Sequence, residues 1–191
     1  MVSASQPSLS ARLTSPQTQG VTQELARLGA GLGLAALYGV ALGARSGGTA
    51  LVQHALGASA GLAAVGVLGI PALFVLLALV NAPVSPGAML SAGARSLASA
   101  GFVLAGLAPS AALLAVTIES PEAAAFVTRA GLTLAGGIGL FQLTSAVCVM
   151  LKDLPAQPRL KCHALLCGFC LFAIMLAARV WYTLPILQGA A

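Results

Sequence analysis

The sequence predicts an all-α integral membrane protein, a bundle of about five transmembrane helices rich in glycine and alanine. Charged residues make up 7% of the 191-residue chain, against roughly a quarter in soluble domains. Hydrophobic residues make up 59%, and the mean hydropathy is +0.98. From Leu28 onward, apolar stretches of bilayer-spanning length, about 20 residues each, fill nearly the whole sequence. Such a chain has no water-soluble surface, so we expect the lipid bilayer to be its solvent.

Five spans follow from the positions of polar and helix-breaking residues. We predict them at about residues 25–44, 56–80, 97–118, within 123–151, and 164–184. Residues 1–24 are predicted to be a flexible polar tail, because the first twenty are rich in Ser, Gln, Thr and Pro. Residues 25–191 form the predicted transmembrane domain. The segment 152–161 is the one strongly polar internal loop.

Two Ser-Pro pairs predict helix starts. Ser85-Pro86 and Ser120-Pro121 each place a capping hydroxyl before a proline at the first helical position. We expect the segment 85–95 to lie along the membrane interface before span three. A re-entrant element there would give six spans, and a first span lying on the surface would give four.

Prolines inside two spans predict bent helices. Pro71 lies in span two and Pro109 in span three, and a proline in a helix removes one backbone donor. We therefore expect spans two and three to be kinked.

The distribution of Lys and Arg predicts the orientation in the membrane. With five spans, one side holds Arg12, Arg27, Arg95, Lys152, Arg159 and Lys161, and the other holds Arg45, Arg129 and Arg179. Six against three places the N-terminus in the cytoplasm. The basic residues are scattered singly at span edges, so the net charge of +5 does not indicate nucleic-acid binding.

Small residues recur at four-residue intervals in two spans. The rows that we predict to be helix-packing residues are Gly31, Ala35, Gly39 and Gly43 in span one, and Gly131, Ala135 and Gly139 in span four. A second row in span one is Gly29 and Gly33. Such rows allow close backbone approach. They serve either packing inside the bundle, which we favour, or an interface with a second copy or a partner subunit.

The sequence has one cluster typical of metal ligands. On a helix, His163, Cys167 and Cys170 share one face, and Cys148 of span four is a candidate fourth ligand. The spacing lacks two separated Cys-x-x-Cys pairs, and cysteine is a common small apolar residue in membrane helices. We therefore expect packing residues and no metal. Haem ligation by His54 and His163 is not expected either, because the predicted topology puts them at opposite membrane faces.

Ionisable groups are confined to span edges. The four acidic residues lie outside the span centres. Ion-coupled carriers usually place acidic residues at those centres. The intramembrane polar residues are Thr133, Gln142, Thr144 and Ser145, which we expect to form interhelical hydrogen bonds. No familiar nucleotide-binding or hydrolase motif occurs, so we expect no catalytic, cofactor or metal site.

Several short motifs carry a family resemblance. They are the glycine-rich stretch 33–43 followed by Gly47-Gly48, the stretch 70–74 with Asn81, the stretch 107–109, and Trp181 followed by Leu184-Pro185 and Gly189. In these the chain resembles a set of uncharacterised bacterial inner-membrane proteins, broadly similar to the Yip-type five-span proteins of membrane traffic. The resemblance implies a helical bundle in a bacterial inner membrane and a non-enzymatic role.

We therefore expect a multi-pass cell-membrane protein without catalytic activity, a scaffold or accessory subunit that packs against itself or against other membrane proteins. The alternatives are a small-solute transporter with a cavity near Pro71, Pro109 and Gln142, and a subunit for metal or electron transfer.

Overall fold

Five long helices make up the structure. The computed structural model describes residues 16–44, 47–117, 120–152 and 155–183, and the regular secondary structure in those ranges is all helical. The helices are α1 (Pro16–Gly43), α2 (Gly48–Leu79), α3 (Pro86–Thr117), α4 (Pro121–Met150) and α5 (Ala156–Thr183). Each contains an apolar stretch of at least 21 residues, long enough to cross a membrane. The predicted all-α class and the five candidate spans are confirmed.

The predicted helix starts at the two Ser-Pro pairs are confirmed. The Ser85 hydroxyl accepts a hydrogen bond from the Ala88 amide (3.2 Å), and α3 begins at Pro86. The Ser120 hydroxyl accepts one from the Ala123 amide (3.4 Å). In both cases the serine satisfies one of the amide donors that a helix start leaves without an intrahelical partner.

The end of α2 is a Schellman motif built on asparagine. The Ala82 amide donates to the Leu77 carbonyl and the Asn81 amide donates to the Ala78 carbonyl, both at 3.0 Å. Asn81 has a φ of 54°, in the left-handed region that asparagine tolerates better than most residues. The motif ends α2 before Pro83 and reverses the chain towards α3.

The helices extend beyond the predicted spans, and one predicted element is wrong. Segment 85–95 is not a separate element before span three, because α3 is continuous from Pro86 to Thr117. Met89, Ala92 and Ala94 in its first turns are at most 2% exposed, so this segment packs inside the bundle. A helix continues as long as its own hydrogen bonds and packing support it, whereas hydropathy identifies only the part suited to lipid.

The same reason explains two further differences. The first helix begins at Pro16, so residues 16–24 of the predicted tail are helical, and α5 begins at Ala156, inside the predicted polar loop 152–161. The helices run continuously through Pro71 and Pro109, and their kinks stay a prediction. Residues 1–15 of the tail and the side chain of Trp181 lie outside the described part, as do the predicted charges Arg12, Arg45 and Arg159, and the motif residues Leu184, Pro185 and Gly189.

The helices pack unevenly. The first helix packs on α2 and α3, α4 packs mainly on α3, and α5 packs mainly on α2 with a smaller contact to α4. Two apolar clusters result. The first-helix cluster contains Ala35, Tyr38, Ala41, Leu62, Leu97, Ala100, Leu104, Ala111, Leu132 and Ala135. The last-helix cluster contains Leu73, Leu77, Met89, Ala92, Leu143, Val147, Leu151, Cys162, Leu166, Phe169 and Ala173.

Topology reporters test whether the five helices cross a membrane. Reporters fused after residues 48, 120 and 191 are expected on one side, and those fused after residues 84 and 156 on the other, because each intervening helix exceeds the hydrocarbon thickness of about 30 Å. Protease protection in sealed vesicles provides an independent measurement. Reporters after residues 48 and 84 on the same side would contradict a membrane-spanning α2.

Candidate functional site

The hairpin of α1 and α2 is a contact of backbone on backbone. A Cβ atom on Gly43 would lie 2.8 Å from the Leu51 Cα, and one on Gly39 would lie 2.7 Å from the Ala55 Cα. These distances are well inside ordinary carbon contact. The single proton of the Ser59 hydroxyl, which faces α1, is shared between two acceptors, the Leu32 carbonyl of α1 and the Ala55 carbonyl of its own helix, each 3.0 Å from the hydroxyl oxygen. The reversal between the helices uses Gly47, whose φ is 64° and whose conformation glycine adopts without steric cost.

The first helix makes an equally close contact with α3. A Cβ atom on Gly31 would lie 2.8 Å from the Ala98 Cα, and one on Gly101 would overlap the Gly31 carbonyl. The row in span one therefore serves two neighbours, with Gly31 facing α3 and Gly39 and Gly43 facing α2. Close approach lets many backbone atoms of the two helices contact each other. The dispersion energy of these contacts exceeds what the small side chains alone would supply.

The row in span four also lies inside the bundle. The Ser96 hydroxyl of α3 donates to the Gly139 carbonyl at 2.6 Å, and a Cβ atom on Gly139 would lie 3.2 Å from the Ala100 Cβ. Ala135 is 2% exposed in the first-helix cluster. Gly131 makes room for Tyr38 of α1, whose hydroxyl a Cβ atom there would overlap.

All seven predicted helix-packing residues are thus buried between helices of this chain. The second row differs, since Gly29 and Gly33 are exposed and no atom lies within 4 Å of a Cβ atom built on either. Four-residue spacing of small residues therefore occurs both at buried helix contacts and on an open face. Spacing alone does not reveal whether the facing helix belongs to the same chain.

Tyr38 is a buried residue that the sequence analysis did not single out. Its side chain is 1% exposed, and its hydroxyl has no hydrogen-bond partner among the described residues. An unpaired hydroxyl in an apolar interior costs about 1–3 kcal/mol. The sequence contains a sign of this position, because Tyr38 is the one residue with a hydroxyl among the glycines and aliphatic residues of the stretch 33–43.

The Cys/His segment of α5 divides between two faces. Cys162 is 1% exposed and packs in the last-helix cluster, whereas Cys167 is exposed and Cys170 is half-buried. Cys148 packs at the edge of the same cluster. Among the residues that the structure describes, no group of three or more His, Cys, Asp or Glu is placed to hold a metal ion.

The two histidines lie at the levels of opposite ends of α2, His54 on α2 itself and His163 on α5. His54 is near the start of α2, where its Nδ1 donates to the Ala50 carbonyl at 2.7 Å. His163 follows Cys162, which packs with Leu77 near the end of α2. The separation along the helix axis is about 35 Å at 1.5 Å per residue, too long for one haem to bridge.

The outer face of α4 presents a polar side chain in an apolar setting. Ile138, Gln142, Ser145 and Val149 are exposed at successive positions of one helical stripe. The Thr133 hydroxyl donates to the Arg129 carbonyl (2.7 Å) and the Thr144 hydroxyl to the Leu140 carbonyl (2.9 Å), so both are satisfied within the helix. These two threonines do not form the interhelical hydrogen bonds expected from the sequence.

The Gln142 amide is different, because none of the hydrogen bonds among the described residues includes it. It is exposed, as are Pro71 on α2 and Pro109 on α3. The three residues named for the transport alternative therefore lie on the surface of the described bundle.

The contact at Gly39 is open to a matched test of stability. The Gly39→Leu variant is expected to lose about 1–3 kcal/mol or more of unfolding free energy, because the added side chain must separate α1 from α2. Gly33→Leu, on the open face of the same helix, is the control and should change stability by less than about 0.5 kcal/mol. Unfolding of both variants in detergent measures the difference, and equal losses would contradict the close contact.

Removing the Tyr38 hydroxyl should not harm the fold. The Tyr38→Phe variant is expected to be as stable as the wild type or more stable by about 1 kcal/mol, because the buried hydroxyl has no described partner to lose. Thermal unfolding in the same detergent measures the effect. A loss of more than about 1 kcal/mol would show that the hydroxyl forms a hydrogen bond.

Comparison with known proteins does not indicate a function. No family model, no curated protein and no solved structure matches this chain. The resemblance to Yip-type proteins therefore stays a prediction. What the structure establishes is an all-helical bundle with five helices able to cross a membrane.

Proposed function

We propose that this protein is a non-catalytic scaffold or accessory subunit of a membrane assembly, and that it binds another transmembrane helix through the outer face of α4. The interaction face consists of Gly137, Ile138, Phe141, Gln142 and Ser145, all of them exposed. The partner helix comes from a second copy of this chain or from another subunit. The observation that carries the proposal is the exposed amide of Gln142.

The energetic argument rests on what surrounds this face. A bilayer offers no hydrogen-bonding groups in its hydrocarbon region, so an amide there gains by reaching another helix. Gln142 lies eight residues before the end of α4 and two turns from Val149, within the apolar stretch of residues 125–150. An amide both donates and accepts, so it can pair with the same residue of a second copy. Gly136 and Gly137 nearby leave open space at the Cβ position, which admits a close helix.

The packing of the other glycines supports this choice of face. The rows at Gly39 and Gly131 are occupied by α2 and by Tyr38, so they are not free for a partner. On the outside of α4, no atom of the described residues lies within 4 Å of a Cβ atom built on Gly136 or Gly137. A face that combines open glycines with a hydrogen-bonding amide is the usual composition of a helix–helix interface in membranes.

We further propose that the protein resides in a cell membrane, a bacterial inner membrane by its resemblance, with the N-terminus in the cytoplasm. The end of the bundle where α1, α3 and α5 begin carries Arg27, Arg95 and Lys161, and α4 ends there beside Lys152. The opposite end carries Arg129 near the start of α4 and Arg179 near the end of α5. Positive charge concentrates on the cytoplasmic side of membrane proteins.

The assembly proposal predicts a specific loss in Gln142→Leu. Wild type in lipid nanodiscs or mild detergent is expected to form a complex larger than one chain. The variant should weaken that association about three- to thirtyfold, which corresponds to about 0.6–2 kcal/mol for one polar contact between helices. Native mass spectrometry of wild type and variant over a concentration series measures the change and identifies any second subunit.

Thr133→Val is the matched control for this experiment. Thr133 is equally exposed on α4, but its hydroxyl is already bonded to the Arg129 carbonyl, so its loss should leave association unchanged. A wild-type protein that stays a lone monomer in lipid would contradict the proposal. Equal weakening in both variants would contradict the role of Gln142.

A further inference from the structure

A hydrogen-bonded chain of four side chains joins α1 to α3 at the end of the bundle where both helices begin. The Glu24 Oε1 atom accepts from Arg27 Nη1 at 3.0 Å and from the Ser91 hydroxyl at 2.9 Å. Arg95 Nη2 in turn donates to the Ser91 oxygen at 2.8 Å. Three successive hydrogen bonds thereby link guanidinium groups of two different helices through the Glu24 carboxylate and the Ser91 hydroxyl.

The charges of these four hydrogen-bonded side chains do not balance. Two guanidinium groups and one carboxylate leave a net charge of +1. Each arginine uses one Nη donor in the chain, and both side chains reach the surface, that of Arg27 with 43% of its area exposed. A guanidinium has five N–H donors in a planar fork, so most of its donors remain available for an oxygen-rich anion.

On the spans predicted from the sequence, these four side chains lie at the level of the lipid headgroups. Arg27 and Arg95 each lie two residues from the predicted start of a span, at residues 25 and 97. Phe102, seven residues after Arg95 and so on the same side of α3, is 65% exposed. A molecule bound at the arginines therefore has an apolar surface directly beneath it on the lipid side.

The two arginines are held on a rigid frame. The close contact of Gly31 with Ala98 lies one turn further along α1 and α3 from Arg27 and Arg95. The pairs Glu24–Ser91 and Gly31–Ala98 have the same separation in sequence. The two parallel helices therefore keep the same register from the hydrogen-bonded side chains to the glycine contact. The spacing of the two helices at the level of the arginines is thus set by backbone packing.

We propose that Arg27 and Arg95 bind the phosphate of an anionic phospholipid, with its acyl chains along α3 over Phe102. Glu24 and Ser91 are positioning residues that orient the two guanidinium groups. A phosphodiester of the phosphatidylglycerol type carries one negative charge and neutralises the net +1. A phosphatidylcholine headgroup carries its own cation and offers no such net gain.

The test uses the full chain in nanodiscs of phosphatidylcholine, titrated with phosphatidylglycerol and followed by native mass spectrometry of bound lipid. Wild type is expected to retain phosphatidylglycerol in preference to phosphatidylcholine. Arg27→Gln and Arg95→Gln should each weaken that binding about fivefold. Arg95→Lys keeps the charge but lacks the planar fork, and should give a smaller loss.

Lys161→Gln is the matched control, since Lys161 is exposed at the same end of the bundle on α5. General attraction of anionic lipid to this end predicts equal losses for Arg95→Gln and Lys161→Gln, and that result would overturn the proposal. Inorganic phosphate added to detergent-solubilised protein should not displace the lipid, and displacement at comparable concentration would identify a free-phosphate site instead. Unchanged unfolding temperatures in lipid-free detergent would show that the arginine variants are folded. If Arg95→Gln does not fold, Arg27→Gln carries the comparison with Lys161→Gln, and equal losses again overturn the proposal.

Discussion

The structure depends on the close approach of α1 to both α2 and α3 at glycines. Lipid gives no hydrophobic advantage to contact between two apolar helices, so association requires unusually good packing. At Gly31 and Gly39 the neighbouring backbone occupies the space where a Cβ atom would stand. Dispersion alone does not fix how two helices are positioned along each other, and polar contacts do. The Ser59 hydroxyl of α2 donates to a carbonyl of α1, and the Ser96 hydroxyl of α3 donates to a carbonyl of α4. The other helices pack around this centre.

The sequence was most informative where the bilayer limits the choices. A chain crossing lipid must satisfy its own backbone hydrogen bonds, so long apolar stretches become helices and Ser-Pro pairs mark their starts. The rows of small residues indicated packing surfaces for the same reason. Hydropathy did not locate the helix starts, because α1, α3 and α5 begin before the spans predicted at residues 25–44, 97–118 and 164–184 and are held there by their own hydrogen bonds. The segment 85–95 was misplaced for this reason.

The pairing of faces was beyond the sequence. Nothing in the spacing of Gly31 and Gly39 shows that one faces α3 and the other α2, because the choice depends on how helices far apart in the chain come together. The link from Glu24 to Ser91 joins residues 67 positions apart, and the orphaned hydroxyl of Tyr38 arises from its placement against Gly131. The exposure of Gln142 likewise follows from the structure, in which α3 packs on the opposite side of α4. Polar residues in a span are visible in sequence, but their partners are not.

The attachment of α5 has a consequence for how the chain is made. The described members of the first-helix cluster belong to α1 to α4 and have all been synthesised by Ala135, whereas α5 contributes Cys162, Leu166, Phe169 and Ala173 to the other cluster. The last-helix cluster, which includes Leu73 and Leu77 of α2, therefore has its full set of side chains only once the final helix has been made.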